Sequence, residues 1–269
     1  MPPPAADAPC PEQAFNATAL KWHTCAWLLL PVLVFLAGWM HWYAALPLTL
    51  LTAAGLAPRK RKEPQTRDSL PAFPLFTRSS FLALAAFAAL MALSGWGEWV
   101  NQHPDHIVRN ACLRELVASP WPVIFPDGNV LIYNTGFWLV PALAGKLAGL
   151  DAARMLVVLW GAWGLFLSWL WLCVFSGRRS LLLALLMAAF GSLLNLQCWL
   201  GLNLFRLHYF GTAEQIMCSA NASIPVLLFF IFLASGRMPL YWMPILFAAT
   251  AFYSPLAALG GLPLSLIHI

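Results

Sequence analysis

The apolar runs decide what this chain can become. Ala26 to Ala57 is apolar over 32 residues, and Ser79–Trp96, Met155–Phe175, Leu181–Trp199 and Leu240–Leu262 repeat the theme. A helix needs about 20 apolar residues to cross a bilayer, and each of these runs reaches or approaches that length. A soluble domain covers itself with about a quarter charged residues, whereas this chain is 61% hydrophobic and 9% charged. Barrel strands would be shorter and would alternate in hydropathy, and no such alternation is present. The expected fold is therefore an all-α, polytopic transmembrane helix bundle of about 6–7 spans.

Charge places the ends of the spans. The net charge is +5, but its basic residues stand in short clusters beside apolar runs, Arg59-Lys60-Arg61-Lys62 being the densest, as the positive-inside rule expects. A nucleic-acid surface would interleave bases and aromatics on one soluble face, so nucleic acid is not an expected partner; the lipid bilayer is. Residues 58–78 read as a basic cytoplasmic linker. Residues 1–24, rich in Pro and Ala, read as a disordered tail and lack the basic start of a signal peptide. Asn16-Ala17-Thr18 fits a glycosylation sequon that chance also produces. The six cysteines include no CxxC pair, which argues against a zinc or redox motif. A disulfide between Cys198 and Cys218 suits an outer-face placement, but free thiols are the favoured reading.

Within 25–57, the aromatic "GWMHWY" favours a helical hairpin turning at Gly38 and His41 over one long helix. Residues 79–269 form the bundle proper, with a large external loop at 98–154 and a second external segment at 200–221. The apolar stretch 131–150 is interrupted by Asn134, Pro141, Gly145 and Lys146, which favours a helix in the interface over a span. Ile224–Ala234 is short for a span. The end, "PLSLIHI", has no polar tail and looks like a translated sequencing adaptor, so the chain reads as a piece truncated at its C-terminus.

The chemistry sits in two polar segments. "GEWVNQHPDHIVRNACLREL" brings together Glu98, His103, Asp105, His106, Arg109 and Glu115 just past a membrane helix. Carboxylates there suit a general base or a divalent cation, and two imidazoles beside a carboxylate also suit a transition metal. The plainer alternative is a solvated loop in which Ile107 to Val117 is an amphipathic helix on the membrane, with Arg109, Arg114 and Glu115 on its wet face. "SPWPVIFPDGN" reads as a proline-stiffened strap with a turn at Asp127-Gly128. In the second segment Arg206 and Glu214 are placed to pair, or Arg206 to hold a phosphate, with His208 and Gln215 beside them; interfacial snorkelling competes. P-loop, GxSxG, HExxH and Rossmann signatures are missing. Spans almost free of ionisable residues argue against a transporter, as does the lack of an internal repeat.

The helix-then-acid arrangement of "GWGEWVNQHPDHIVRNACLREL" resembles polytopic glycosyltransferases of the GT-C class. So does the following "LIYNTGFWLVPALAGKLAGLDAARMLVVLWGAWGLFLSWLWLCVFSGRR", and the likeness extends over about Ser79 to Ala234. It implies an inverting transfer of sugar from a polyprenyl-phosphate donor on the outer face of a bacterial inner membrane. Asp105 would be the catalytic carboxylate, with Glu98 in reserve. Arg109, Arg206, His208 and Glu214 would line the lipid-phosphate site, with no metal assigned. The alternative is a non-catalytic or transport-related multi-pass membrane protein.

Overall fold

The computed structural model describes residues 17–58, 77–100, 102–190, 211–256 and 258–259. These residues form helices and loops, with one antiparallel bridge between Ile124 and Val130. The helices are α1 (Ala17–Trp39), α2 (Trp42–Leu56), α3 (Arg78–Leu93), α4 (Pro104–Ala118), α5 (Gly136–Ala148), α6 (Leu150–Ser176), α7 (Leu181–Ala189), α8 (Thr212–Ala234) and α9 (Met243–Tyr253). Three of them, α1, α6 and α8, are long and apolar enough to cross a bilayer. The fold is thus all-helical and suited to a membrane.

Helix α6 is the axis. Fourteen of its residues are buried, from Ala153 to Cys173, and a helix buried on most of its circumference needs apolar residues nearly all round. Antiparallel α1 and α3 and parallel α8 clasp it. Trp171 donates its indole N–H to Thr24 Oγ1 of α1 (2.8 Å) and stacks on Phe232 of α8 at 4.4 Å. Farther along, Gly161 faces Met91 of α3, and Gly164 faces both Ile224 and Trp27. Small residues at such points let helices approach closely. We call the end of the bundle that carries α4 the upper end.

Tryptophan does much of the cross-linking. Trp27 is sandwiched between Trp160 and Tyr253 at 5.1 and 5.3 Å. Its N–H reaches the Trp160 carbonyl (3.0 Å), and its own carbonyl accepts from the Tyr253 hydroxyl (2.7 Å). An indole buries a large apolar area yet needs a partner for its single donor. Trp169 finds the Ser180 carbonyl, and Trp242 the Leu56 carbonyl.

Trp242 also decides how α1 and α2 are arranged. It meets Trp22 in the first turns of α1 (5.2 Å) as well as the last residue of α2. The start of α1 and the end of α2 therefore lie together, and residues 17–56 form a hairpin broken at Met40 and His41.

Several expectations are corrected. Helix α1 begins at Ala17, so residues 17–24 belong to it and not to a tail. The polar residues after Gly211 are helical: α8 runs from Thr212 and absorbs the apolar 224–234, giving 23 residues where a short run was expected. Its start is fixed by Glu214, whose carboxylate accepts the Gly211 N–H (2.9 Å), one half of a capping box. Helix α5 is only 13 residues long, yet Phe137, Trp138, Leu139 and Ala142 are fully buried. It packs against α1, α4 and α6, while Leu143 and Leu147 stay exposed. Lys146, which looked like an interruption, binds the Ser119 carbonyl at 2.5 Å and covers the Trp121 ring. The final apolar run opens with a short 3-10 turn followed by α9, which ends at extended Ser254; 255–256 and 258–259 are helical again. The strap holds its expected turn: Asp127 accepts from the Asn129 backbone (3.1 Å) and side chain (2.7 Å), and those bonds hold its carboxyl below the ordinary range. The basic cluster 59–62 and the run 191–199 lie outside the described residues.

Candidate functional site

The two polar segments do meet, at the upper end of the bundle. The meeting point is a break in α8. Ser219 is non-helical (φ −151°, ψ 45°) in the middle of that helix. A helix that ends leaves its last four carbonyls without backbone partners. Here all four are taken by side chains. Ser223 Oγ donates to Gln215 O (3.3 Å), Trp96 Nε1 to Ile216 O (2.8 Å), His106 Nε2 to Met217 O (2.9 Å), and the Arg109 guanidinium to Cys218 O. Three of these donors come from the α3–α4 region, so that region acts as a clasp on the broken helix. The cation lies where the dipole of the upper half-helix is negative.

The clasp is itself braced. Arg109 lies over the Trp96 ring at 5.7 Å, and Trp96 packs on His106 at 5.1 Å. A carbonyl only accepts, so His106 carries its proton on Nε2. Its Nδ1 is buried without a hydrogen-bond partner among the described residues. Burial, followed by the charge of Arg109, pushes the His106 pKa below its ordinary value.

This arrangement corrects part of the expected orientation of α4: Arg114 is exposed as expected, but Arg109 is not on the wet face. His106 and Arg109 are buried, while Ile107 and Val108 are 70% and 58% exposed. Hydrophobicity alone would bury Ile107 and Val108 and leave His106 and Arg109 outside, but the carbonyls at the break in α8 draw those two donors inward. Cys112, Leu113 and Leu116 complete the inward face; burial raises the Cys112 thiol to about 12.

Of the candidate carboxylates, Glu98 is the organiser. It closes the turn Gly95-Trp96-Gly97-Glu98, where Gly95, Gly97 and Glu98 itself all have positive φ (91°, 101° and 67°). Its Oε2 lies 2.5 Å from both Arg114 of α4 and Arg154 of α6. Arg154 also pairs with Asp151 (2.8 Å). Two guanidiniums fix one carboxylate oxygen, and Oε1 is buried without a partner among the described residues.

Asp105 is the open carboxylate. Its side chain is 52% exposed, 3.8 Å from Arg109 and 3.6 Å from His103 Nδ1. It sits in the first turn of α4, behind Pro104 and the N-cap His103, where an acid complements the helix dipole. On its far side the His103 ring approaches Cys218 Sγ at 4.0 Å. Cys218 is a free thiol, and Cys198 lies outside the described residues, as do Arg206 and His208.

Among the described residues no three His, Cys, Asp or Glu side chains converge as a metal site requires. The "HPDH" imidazoles are engaged elsewhere, His106 on α8 and His103 on the Asp105 amide. The buried Arg109 guanidinium donates to Cys218 O and Ser219 Oγ.

Sequence reasoning missed Trp96, Arg154 and Ser219. Each had a signal. Trp96 stands between two glycines; Arg154 is a lone charge at the head of an apolar run and needs a partner there; "CSANAS" is a polar patch inside a would-be span. No family model, curated protein or solved structure matches this chain.

Proposed function

We propose that this chain is an integral membrane glycosyltransferase working at the upper end of its bundle, with a sugar carried on a polyprenyl phosphate as donor. The observation that supports this reading is Asp105. A carboxylate that accepts a proton from an acceptor hydroxyl must be reachable, and Asp105 is half-exposed on a rigid helix turn beside Arg109. The upper end would face the outside of a bacterial inner membrane. Glu98 would hold α4 and α6 in register, and Arg206 and His208 would hold the lipid phosphate, with Glu214 fixing the start of α8.

A second reading, a non-catalytic membrane protein, has its own support: Glu98, His106 and Arg109 are all spent on structural bonds. One comparison separates the two. Sugar transfer from polyprenyl-phosphate donors is measured in membranes carrying the wild-type chain or Asp105→Asn. The catalytic reading expects a loss of about 10²-fold or more with unchanged helical content. Wild-type transfer by Asp105→Asn would remove Asp105 from the chemistry. Cell-envelope glycans unaltered by deletion of the gene would favour the second reading.

A further inference from the structure

We propose that the break in α8 is a pH-sensitive hinge, which the clasp from α4 holds shut while His106 is neutral and releases on acidification. The inference is independent of the transfer chemistry.

The geometry carries it. A helix broken at Ser219 has two halves joined by one non-helical residue, and the upper half is tied down through its own terminal carbonyls. Two of the three incoming donors, His106 and Arg109, are on α4, one turn apart; the third, Trp96, packs on both of their side chains. Loss of the central bond removes the support of the other two. The three carbonyls that the clasp served then have water as their alternative partner, while Gln215 O keeps Ser223 of α8 itself.

Protonation acts on the ring that makes that central bond. The Nε2–H to Met217 O favours the cation, but burial outweighs it, and the cost falls at the opposite nitrogen, which finds a partner only if the ring leaves its pocket for water. Neutral His106 satisfies Met217 through Nε2 and leaves Nδ1 as a bare lone pair. A second proton would place an N–H at Nδ1, buried with no acceptor among the described residues. The charged groups around it do not compensate. Arg109 on the same helix and His103 at its N-cap both oppose a new cation. Asp105 favours it, but is half-exposed, screened by water and already beside Arg109. On the α8 side stands the thiol of Cys218, and the carboxylate of Glu98, in the turn that carries Trp96, is engaged by Arg114 and Arg154. The direction follows by linkage. A histidine whose value is depressed in the folded state contributes its full stability above the ordinary value of about 6.5, and loses it as the pH falls below that. The hinge is closed at neutral pH and opens in acid.

The test is a distance measurement. Spin labels are placed at Val108→Cys on α4 and Gln215→Cys on α8, both exposed, with the native cysteines replaced by Ser or Ala. At about pH 8 the pair should give one narrow distance; toward about pH 5 a longer one should grow in, the ratio changing by up to about tenfold per pH unit. His106→Gln, an uncharged donor of similar reach, should stay narrow at both pH values. His106→Ala, with no donor, should show the longer distance at both. A wild-type distribution that does not move with pH overturns the proposal. So does a pH response that survives in His106→Gln, because the titrating group is then not His106.

Discussion

Glu98 shows how much one residue can fix. It is a non-glycine at φ 67°, a conformation that costs of order 1 kcal/mol or more and persists where its surroundings over-determine it. The over-determination is visible: one carboxylate oxygen is gripped by Arg114 and Arg154, from different helices. Arg114 is 53% exposed and its share is weakened by water, but Arg154 is 22% exposed and Glu98 only 10%. Glu98→Gln keeps the shape and removes the charge. It is expected to lower stability by about 1–3 kcal/mol, between the cost of breaking a buried pair and that of a surface pair. Thermal melting followed by ellipticity in detergent checks this; a melting temperature equal to the wild type's would show that the two arginines find other partners. Glu98 was legible as a candidate carboxylate from its place after a membrane helix. Its partners were not, because Arg154 lies 56 residues away and only the α5–α6 turn brings it back.

Among the elements, the glycines of α6 give a sharp contrast. A Cβ on Gly164 would lie 2.6 Å from Ile224 Cγ2 and 2.7 Å from the Trp27 ring, both fixed in the core. A Cβ on Gly161 meets only the flexible end of Met91. Alanine gains about 1 kcal/mol over glycine in a helix, so the two substitutions should separate. Gly161→Ala should be near neutral, while Gly164→Ala should destabilise by about 1–3 kcal/mol through overpacking. Equal melting temperatures for the two variants would contradict the packing of α1 and α8 on α6. Apolar length gave the existence of these helices, because a run such as 155–175 has no other means of burial. The inward face of α4 could not be read in the same way. Its orientation answers to carbonyls freed by a break 100 residues downstream, and a count of apolar residues in α4 contains nothing about that break. The same blindness put 200–221 in an external segment, although its described part from Thr212 onward is helical: polar residues inside a helix look like a loop until their donors and acceptors are matched.

For the whole molecule, the ordering of charge matters more than its amount. Arg178 and Arg179 close α6 at the lower end, where the Arg179 guanidinium binds Ser80 at the start of α3 and covers the Trp169 ring at 5.6 Å. Glu98, Asp105, Arg109, Arg114, Asp151 and Arg154 gather at the upper end around the broken α8. Between them lie the aromatic layers of Trp27, Trp160, Trp171 and Phe232. A bilayer fits that middle zone, and every functional inference above depends on the upper end lying on one side of it and Arg178 on the other. Side-specific labelling tests this most directly. Asp127→Cys, in the upper strap, and Arg178→Cys, at the lower end, are exposed one at a time to a membrane-impermeant thiol reagent, in sealed vesicles of known orientation and with the native cysteines replaced. The account predicts that the two sites label from opposite faces. Labelling of both from the same face would contradict it.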